Sequence, residues 1–426
     1  LLLNNSIQSV DSKIKTHDEK GIPVFVFTSL SWQRTDPVTI QLAFDPGSAR
    51  SVKLFSSKGK ELPVQLHLSE TDKNGHLQST LLTFIALDVP SIGHDTYYIQ
   101  LSNEAVEGQD MHFDPVFENG YYKAQFSNGG LSSLYDKQLQ QELIDANLFK
   151  AGEIFTMQSV GNGAGEFVAV QQPTMEGFDK TGKYPTQWQI ETSGPVFTSY
   201  TSRQPIRNAV AELKITFYHT IKKIDFDVAV KNWDGTMFRE YRMAVPLNMV
   251  DGQVAYEVPY GVVEVGVDEM PGAAGERYQT PNDQIRPRGI ENWISVSTKD
   301  WGVTMASSVV AMDYVDPTDS NMENVILQPV LLASRRSCHG EGNDYHQTGH
   351  HEFSFSITSH GPGWNDGIRF GKGSNEHLFT VVDPDKYITA NLLESQSYLS
   401  VDQANIIITA MKKAENDDAV IIRYYN

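Results

Sequence analysis

Residues 334–353, "SRRSCHGEGNDYHQTGHHEF", gather Arg335, Arg336, the chain's single cysteine Cys338, four histidines (His339, His346, His350 and His351) and the carboxylates Glu341, Asp344 and Glu352. Three chemistries could use such a set. Imidazoles and carboxylates could hold zinc or nickel. A thiol beside a base could act as a nucleophile. A pair of guanidinium groups could grip an oxygen-rich ligand through their fixed fork of donors. The spacing weighs against the first two. Gly340, Gly342 and Gly349 leave the would-be ligands on a loop, while His350 and His351 open a strand and would face opposite ways. Cys338 has no second thiol for a disulfide or a cysteine-based zinc cluster. From the residues alone, no metal and no nucleophile is expected at this stretch, and Arg335 and Arg336 read as an arginine pair at a sheet edge. Consecutive strand residues point to opposite faces, so only one of the two can be the inward group.

The elements that position these residues read as strands. Val24-Phe25-Val26-Phe27, Val38 to Leu42 and Leu81 to Ile85 are short, rich in β-branched and aromatic residues, and bounded by Pro, Gly, Asp and Asn. Between Ile224 and Val230, Ile, Phe, Val and Val fall on one face while Asp225, Asp227 and Ala229 fall on the other. Asn128-Gly129-Gly130 fits a hairpin turn after which Leu131 and Leu134 re-enter a core. Ile406 to Ala410 and Ala419 to Tyr424 read as a hairpin joined by the charged "MKKAENDD". Helical periodicity at i, i+3, i+4, i+7 is nearly absent, so the fold class is all-β. "GNGAGEF" from Gly161 lacks the Lys-Ser/Thr of a phosphate loop and reads as a turn. Tyr278 to Arg288, "YQTPNDQIRPR", reads as a connection.

Composition limits the partners. The 426 residues carry 53 acidic and 34 basic side chains, a formal charge of -19 that repels phosphate backbones and anionic lipid surfaces. No apolar run approaches the roughly 20 residues a bilayer-spanning helix needs. Neither nucleic acid nor membrane is an expected partner. Leu1 to Ser6 has no initiating Met, basic n-region or long apolar core, and Ile421 to Asn426 stops in a β-pattern. Both ends read as cuts in a longer polypeptide. No targeting segment indicates a compartment.

Four stretches, in order, carry a resemblance. They are "VFVFTSLSWQRTDPVTI" from Val24, with Ser-Trp-x-Arg at Ser31 to Arg34; "FENGYYKAQFSNGGLSSLYDKQLQQELID" from Phe117; "NWISVSTKDWGVTMAS" from Asn292, continued by "LQPVLLASRR" from Leu327 and "GHHEFSFSITSHGPGW" from Gly349; and "NIIITAMKKAENDDAVIIRYYN" from Asn405. Together they resemble the region that follows the catalytic barrel in glycoside hydrolase family 38, the α-mannosidases. The sequence itself breaks near Ser102 to Gly108, where "SNEAVEGQD" turns acidic and polar, and near Asp383 to Lys386. With the resemblance this implies a linker from the missing N-terminal domains over 1–20, a small β-sandwich over 21–104, a large two-sheet, galactose-mutarotase-like super-sandwich over 105–382, and the start of a further C-terminal β-domain over 383–426. It also implies a parent that is a zinc-dependent retaining glycosidase acting on terminal α-linked mannose. Its zinc ligands and nucleophile would lie in the barrel, so this fragment alone would be inactive and would bind no cofactor.

The implied partners are a mannose-containing oligosaccharide and the parent's own barrel, toward whose sugar pocket an arginine of an Arg-Arg pair reaches. Arg335 and Arg336 occupy that motif, although "SCHGEGNDYHQ" after it departs from the adjacent aspartates of well-known members. Two other readings compete. A stand-alone carbohydrate-binding module would stack sugars on Trp188, Trp233, Trp293 or Trp364. A mutarotase-like or lyase-like enzyme would need paired His and Glu converging on a concave sheet.

Overall fold

In the segment Ala209–Tyr218 and its hairpin partner Ile224–Trp233, alternation decides which side chains are buried. Leu213, Ile215 and Phe217, with Phe226, Val228 and Val230, enter one core, as the sequence pattern predicts. The opposite face carries Glu212, Lys214, Asp225, Asp227, Ala229 and Lys231, none of them buried. A computed structural model of the chain describes residues 9–105, 111–160, 172–269, 287–318, 320, 322–336, 344–383 and 389–426. The described residues are nearly all β.

The chain divides into two units: Leu1–Asp110, Thr192–Phe197 and Glu376–Asn426 form one, and Met111–Glu191 with Thr198–Asn375 form the other. In the first, Ile22–Thr28 lies between Gly93–Ser102 and Phe379–Val382, antiparallel to both. Both of its faces are covered. Val24 and Val26 meet Val38, Ile40, Leu82 and Phe84 of a three-stranded sheet, while Phe25 and Phe27 pack with Ile14, Phe379 and Val381. Two covered faces are why this strand reads as an unbroken apolar run. The hairpin Ile407–Lys413 with Val420–Tyr425 forms as expected, extending through Lys412 and Lys413.

The second unit is built on a nine-stranded sheet that includes the hairpin above, a six-stranded sheet with Arg239–Pro246 at its interior, and a four-stranded sheet. Their apolar faces share one large core. Gly129 adopts a φ of 82°, and Ser127 pairs with Gly130 across the turn. That conformation suits glycine, and Leu131 and Leu134 return fully buried as expected.

The helix Asn365–Asn375 departs from the sequence expectation. Its glycines obscure it in the sequence and are what let it pack. A Cβ on Gly367 would stand 2.0 Å from Thr304 Oγ1, and one on Gly371 would stand 2.4 Å from the Trp293 Cβ. Four residues apart, both glycines lie on the face pressed against the sheet.

Candidate functional site

Arg239–Pro246, "REYRMAVP", is buried along its whole length between Glu153–Val160 and Ile326–Ala333. Tyr241, Met243 and Val245 supply the core face. The intervening Glu240 and Arg242 lie on the other face, where two buried charges require partners. Arg242, 2% exposed, donates from Nε to Glu240 Oε1 at 2.5 Å and from Nη1 to Asp313 Oδ2 at 2.9 Å and Gln328 Oε1 at 3.0 Å. Gln328 is turned by its own amide, which donates to the Val315 and Ile326 carbonyls.

Arg335 completes this cluster. The strand Ile326–Ala333 ends before it, and Arg335–Arg336 form a separate short strand against Asp344–Tyr345. The Arg335 side chain, from a residue 8% exposed, donates from Nη2 to Glu240 Oε2 at 2.5 Å and from Nη1 to the Ser334 carbonyl at 2.8 Å. Glu240 is thus clamped between two guanidinium groups. Burial alone would raise its pKa, but Arg242 and Arg335 hold it below the usual carboxylate range. Burial draws the Arg335 guanidinium below its ordinary value against the pull of Glu240, and it remains charged. Its Nε has no hydrogen-bond partner among the described residues. The Nη edge of the fork is therefore fixed by Glu240 and Ser334, while the buried Nε is unpaired among the described residues.

Arg336 faces the other way, exposed, with Nε donating to Asp344 Oδ1 at 2.9 Å. The alternation argument thus separates the pair. The remainder of the polar stretch does not converge. His346 Nδ1 donates to the Gly235 carbonyl, His350 Nδ1 accepts from the Asn232 amide, and His351 Nε2 donates to the Gln347 carbonyl. Cys338, His339 and Glu341 lie outside the described residues, as do "GNGAGEF" and most of Tyr278 to Arg288. Among the described residues no three His, Cys, Asp or Glu side chains are grouped to hold a metal.

The aromatic platforms that a binding module would need are otherwise engaged. Trp188, Trp233 and Trp293 are buried, and Trp364 stacks on Trp293 at 6.3 Å between centroids, with its Nε1 donating to Glu264. A trough on the open face of the nine-stranded sheet, bounded by Gln187, Arg203, Lys214 and Glu352 among others, is lined by no histidine, so the His-Glu pair of a mutarotase-like enzyme is not found there. Sequence reasoning missed Glu240, Arg242 and Asp313. The available signal was "REYR", two arginines and a glutamate inside an otherwise apolar strand.

Comparison with known proteins bears on the whole unit. Residues 117–309 match the family described as glycosyl hydrolases family 38 C-terminal domain. No curated protein matches the chain. Among solved structures, a protein in glycosyl hydrolase family 38 from Enterococcus faecalis superposes with a TM-score of 0.73 at 15% identity, over 99% of this chain and 55% of that one. An alpha-mannosidase from Enterococcus faecalis V583 gives 0.71 at 14% identity, over 99% and 53% respectively. The chain therefore spans about half the length of these structures, and at such identities the likeness establishes the fold. Residues 117–309 belong to the family 38 glycosyl hydrolases, as their C-terminal domain.

Proposed function

We propose that this chain is the C-terminal, non-catalytic portion of a zinc-dependent retaining α-mannosidase, supporting a catalytic barrel and presenting Arg335 to its sugar pocket. The family match over 117–309, in a fold shared with an alpha-mannosidase across 99% of the chain, carries the reading. Retaining hydrolysis requires a nucleophilic carboxylate and an acid/base carboxyl about 5 Å apart, groups assigned here to the barrel. The described residues offer no donor set that fits zinc, and the metal is assigned to the barrel. What the chain contributes is positioning. Glu240 fixes the Arg335 fork, and the N–H groups not engaged by Glu240 and Ser334 are the donors assigned to a sugar hydroxyl or an active-site carboxylate. A charged hydrogen bond of this kind contributes about 1.5–3 kcal/mol, roughly ten- to hundredfold in rate or affinity.

In the parent enzyme, Arg335→Met should lower kcat/KM on an aryl α-mannoside by that factor, while Arg336→Met leaves it unchanged. Equal kcat/KM for the Arg335 variant and the unaltered enzyme, with folding intact, would remove Arg335 from the site.

A further inference from the structure

The open face of the nine-stranded sheet holds a trough of about 820 Å³, bounded by Gln187, Gln189, Glu191, Arg203, Lys214 and Glu352 among others. Its floor is set by register. Glu212 and Glu352 stand opposite Ala229 on either side, and Lys214 and Ser354 stand opposite Asp227. Ala229 is thus a methyl group surrounded by long side chains, which makes the face concave there.

The charges are interleaved. Lys214 Nζ lies 3.2 Å from Asp227 Oδ2 and 3.8 Å from Glu191 Oε2, Lys231 Nζ lies 2.6 Å from Glu352 Oε1, and Arg203 Nη1 lies 3.5 Å from Glu212 Oε1. Ser354 Oγ donates to Asp227 Oδ1 at 2.9 Å. Four carboxylates and three cations nearly cancel, so the trough has no single-sign field to draw a phosphate or a cation. It instead offers closely alternating donors and acceptors, pre-set by these pairs, above the alkyl stems of Lys214 and Lys231. A pyranose ring has the matching surface: vicinal hydroxyls that both donate and accept at its rim, and C–H faces that pack on methylene and methyl groups.

We propose that this trough is a binding site for a neutral oligosaccharide of about two to three pyranose rings, a length set by its volume. The site is separate from the one assigned to Arg335 and does not depend on the glycosidase reading. Phe353, the one aromatic residue in its lining, is partly buried against the core, so binding is expected to be weak.

Maltotriose, cellotriose and mannotriose are the probes, titrated into the protein by saturation-transfer NMR and calorimetry. At least one should bind, and Ala229→Trp, which fills the floor from an unburied position, should weaken it at least about tenfold. Arg335→Met should leave it unaltered. Glu212→Gln with Glu352→Gln keeps side-chain size while removing two charged acceptors, and should weaken binding about fivefold or more. This second variant serves if the tryptophan variant does not fold. Absence of binding by all three probes overturns the proposal, as does full-strength binding to a folded Ala229→Trp or Glu212→Gln/Glu352→Gln protein. Binding that is lost instead in Arg335→Met places the sugar at the arginine and also overturns it.

Discussion

Replacing Glu240 by glutamine tests the buried cluster at its centre. The substitution keeps side-chain volume but removes the single carboxylate that answers both Arg242 and Arg335, each at 2.5 Å. Glutamine can present its oxygen to only one guanidinium, so an amide donor is turned toward the other. Arg242 keeps Asp313 and Gln328, whereas Arg335 keeps only the Ser334 carbonyl among its described partners. Removing one partner from a buried ion pair costs about 3–5 kcal/mol, because the charge left behind is desolvated and uncompensated. At about 2–4 °C per kcal/mol for a unit of this size, the transition should fall by about 6–20 °C in differential scanning calorimetry. Adding Arg335→Met removes the orphaned charge and should restore much of the loss. A Glu240→Gln shift of less than about 3 °C, or no recovery in the double variant, would refute the clamp. Arg336→Ala, in the same strand but exposed, should leave the transition unmoved.

Other outcomes follow from the same physics. Burial lowers the pKa of His360, whose Nδ1 donates to the Gly361 carbonyl, and likewise of His94. A depressed folded pKa means stability that is full above the unfolded value, about 6.5, and is lost as pH falls through the folded one. Thermal scans between neutral and acid pH should therefore show each unit weakening below about pH 6.5, with a flatter profile for the second unit in His360→Gln. Gly371→Ala drives a methyl group to 2.4 Å from the Trp293 Cβ, and chemical denaturation should show a loss of about 1–3 kcal/mol from overpacking. Asp136, fully buried, accepts from Lys222 at 2.6 Å and Ser359 at 2.5 Å; Asp136→Asn should destabilise the second unit by about 3 kcal/mol or more in the same measurement.

How much was legible depended on the range of the interaction. The hairpin around Gly129-Gly130 and the two faces of Ile224–Trp233 follow from local chemistry, a positive-φ turn and a period of two, and both stand in the structure. The helix Asn365–Asn375 was not readable, because the reason for its glycines lies at Thr304 and Trp293, far along the chain. The clamp was likewise hidden: Glu240 meets Arg335 across 95 residues and Arg242 meets Asp313 across 71, and no spacing rule connects them. Arginine could be picked out at 335 and 336 by type alone. Which of the two turns inward required the strand Arg239–Pro246 to be in place beside Arg335.

The central claim is that the chemistry of mannoside cleavage resides outside this chain, which shapes the pocket without performing the reaction. Hydrolysis of an aryl α-mannoside by the purified 426-residue chain, with and without added zinc, tests it most directly. The account predicts no turnover above the uncatalysed rate under either condition. Zinc-dependent release of the aryl alcohol by this chain alone would contradict it.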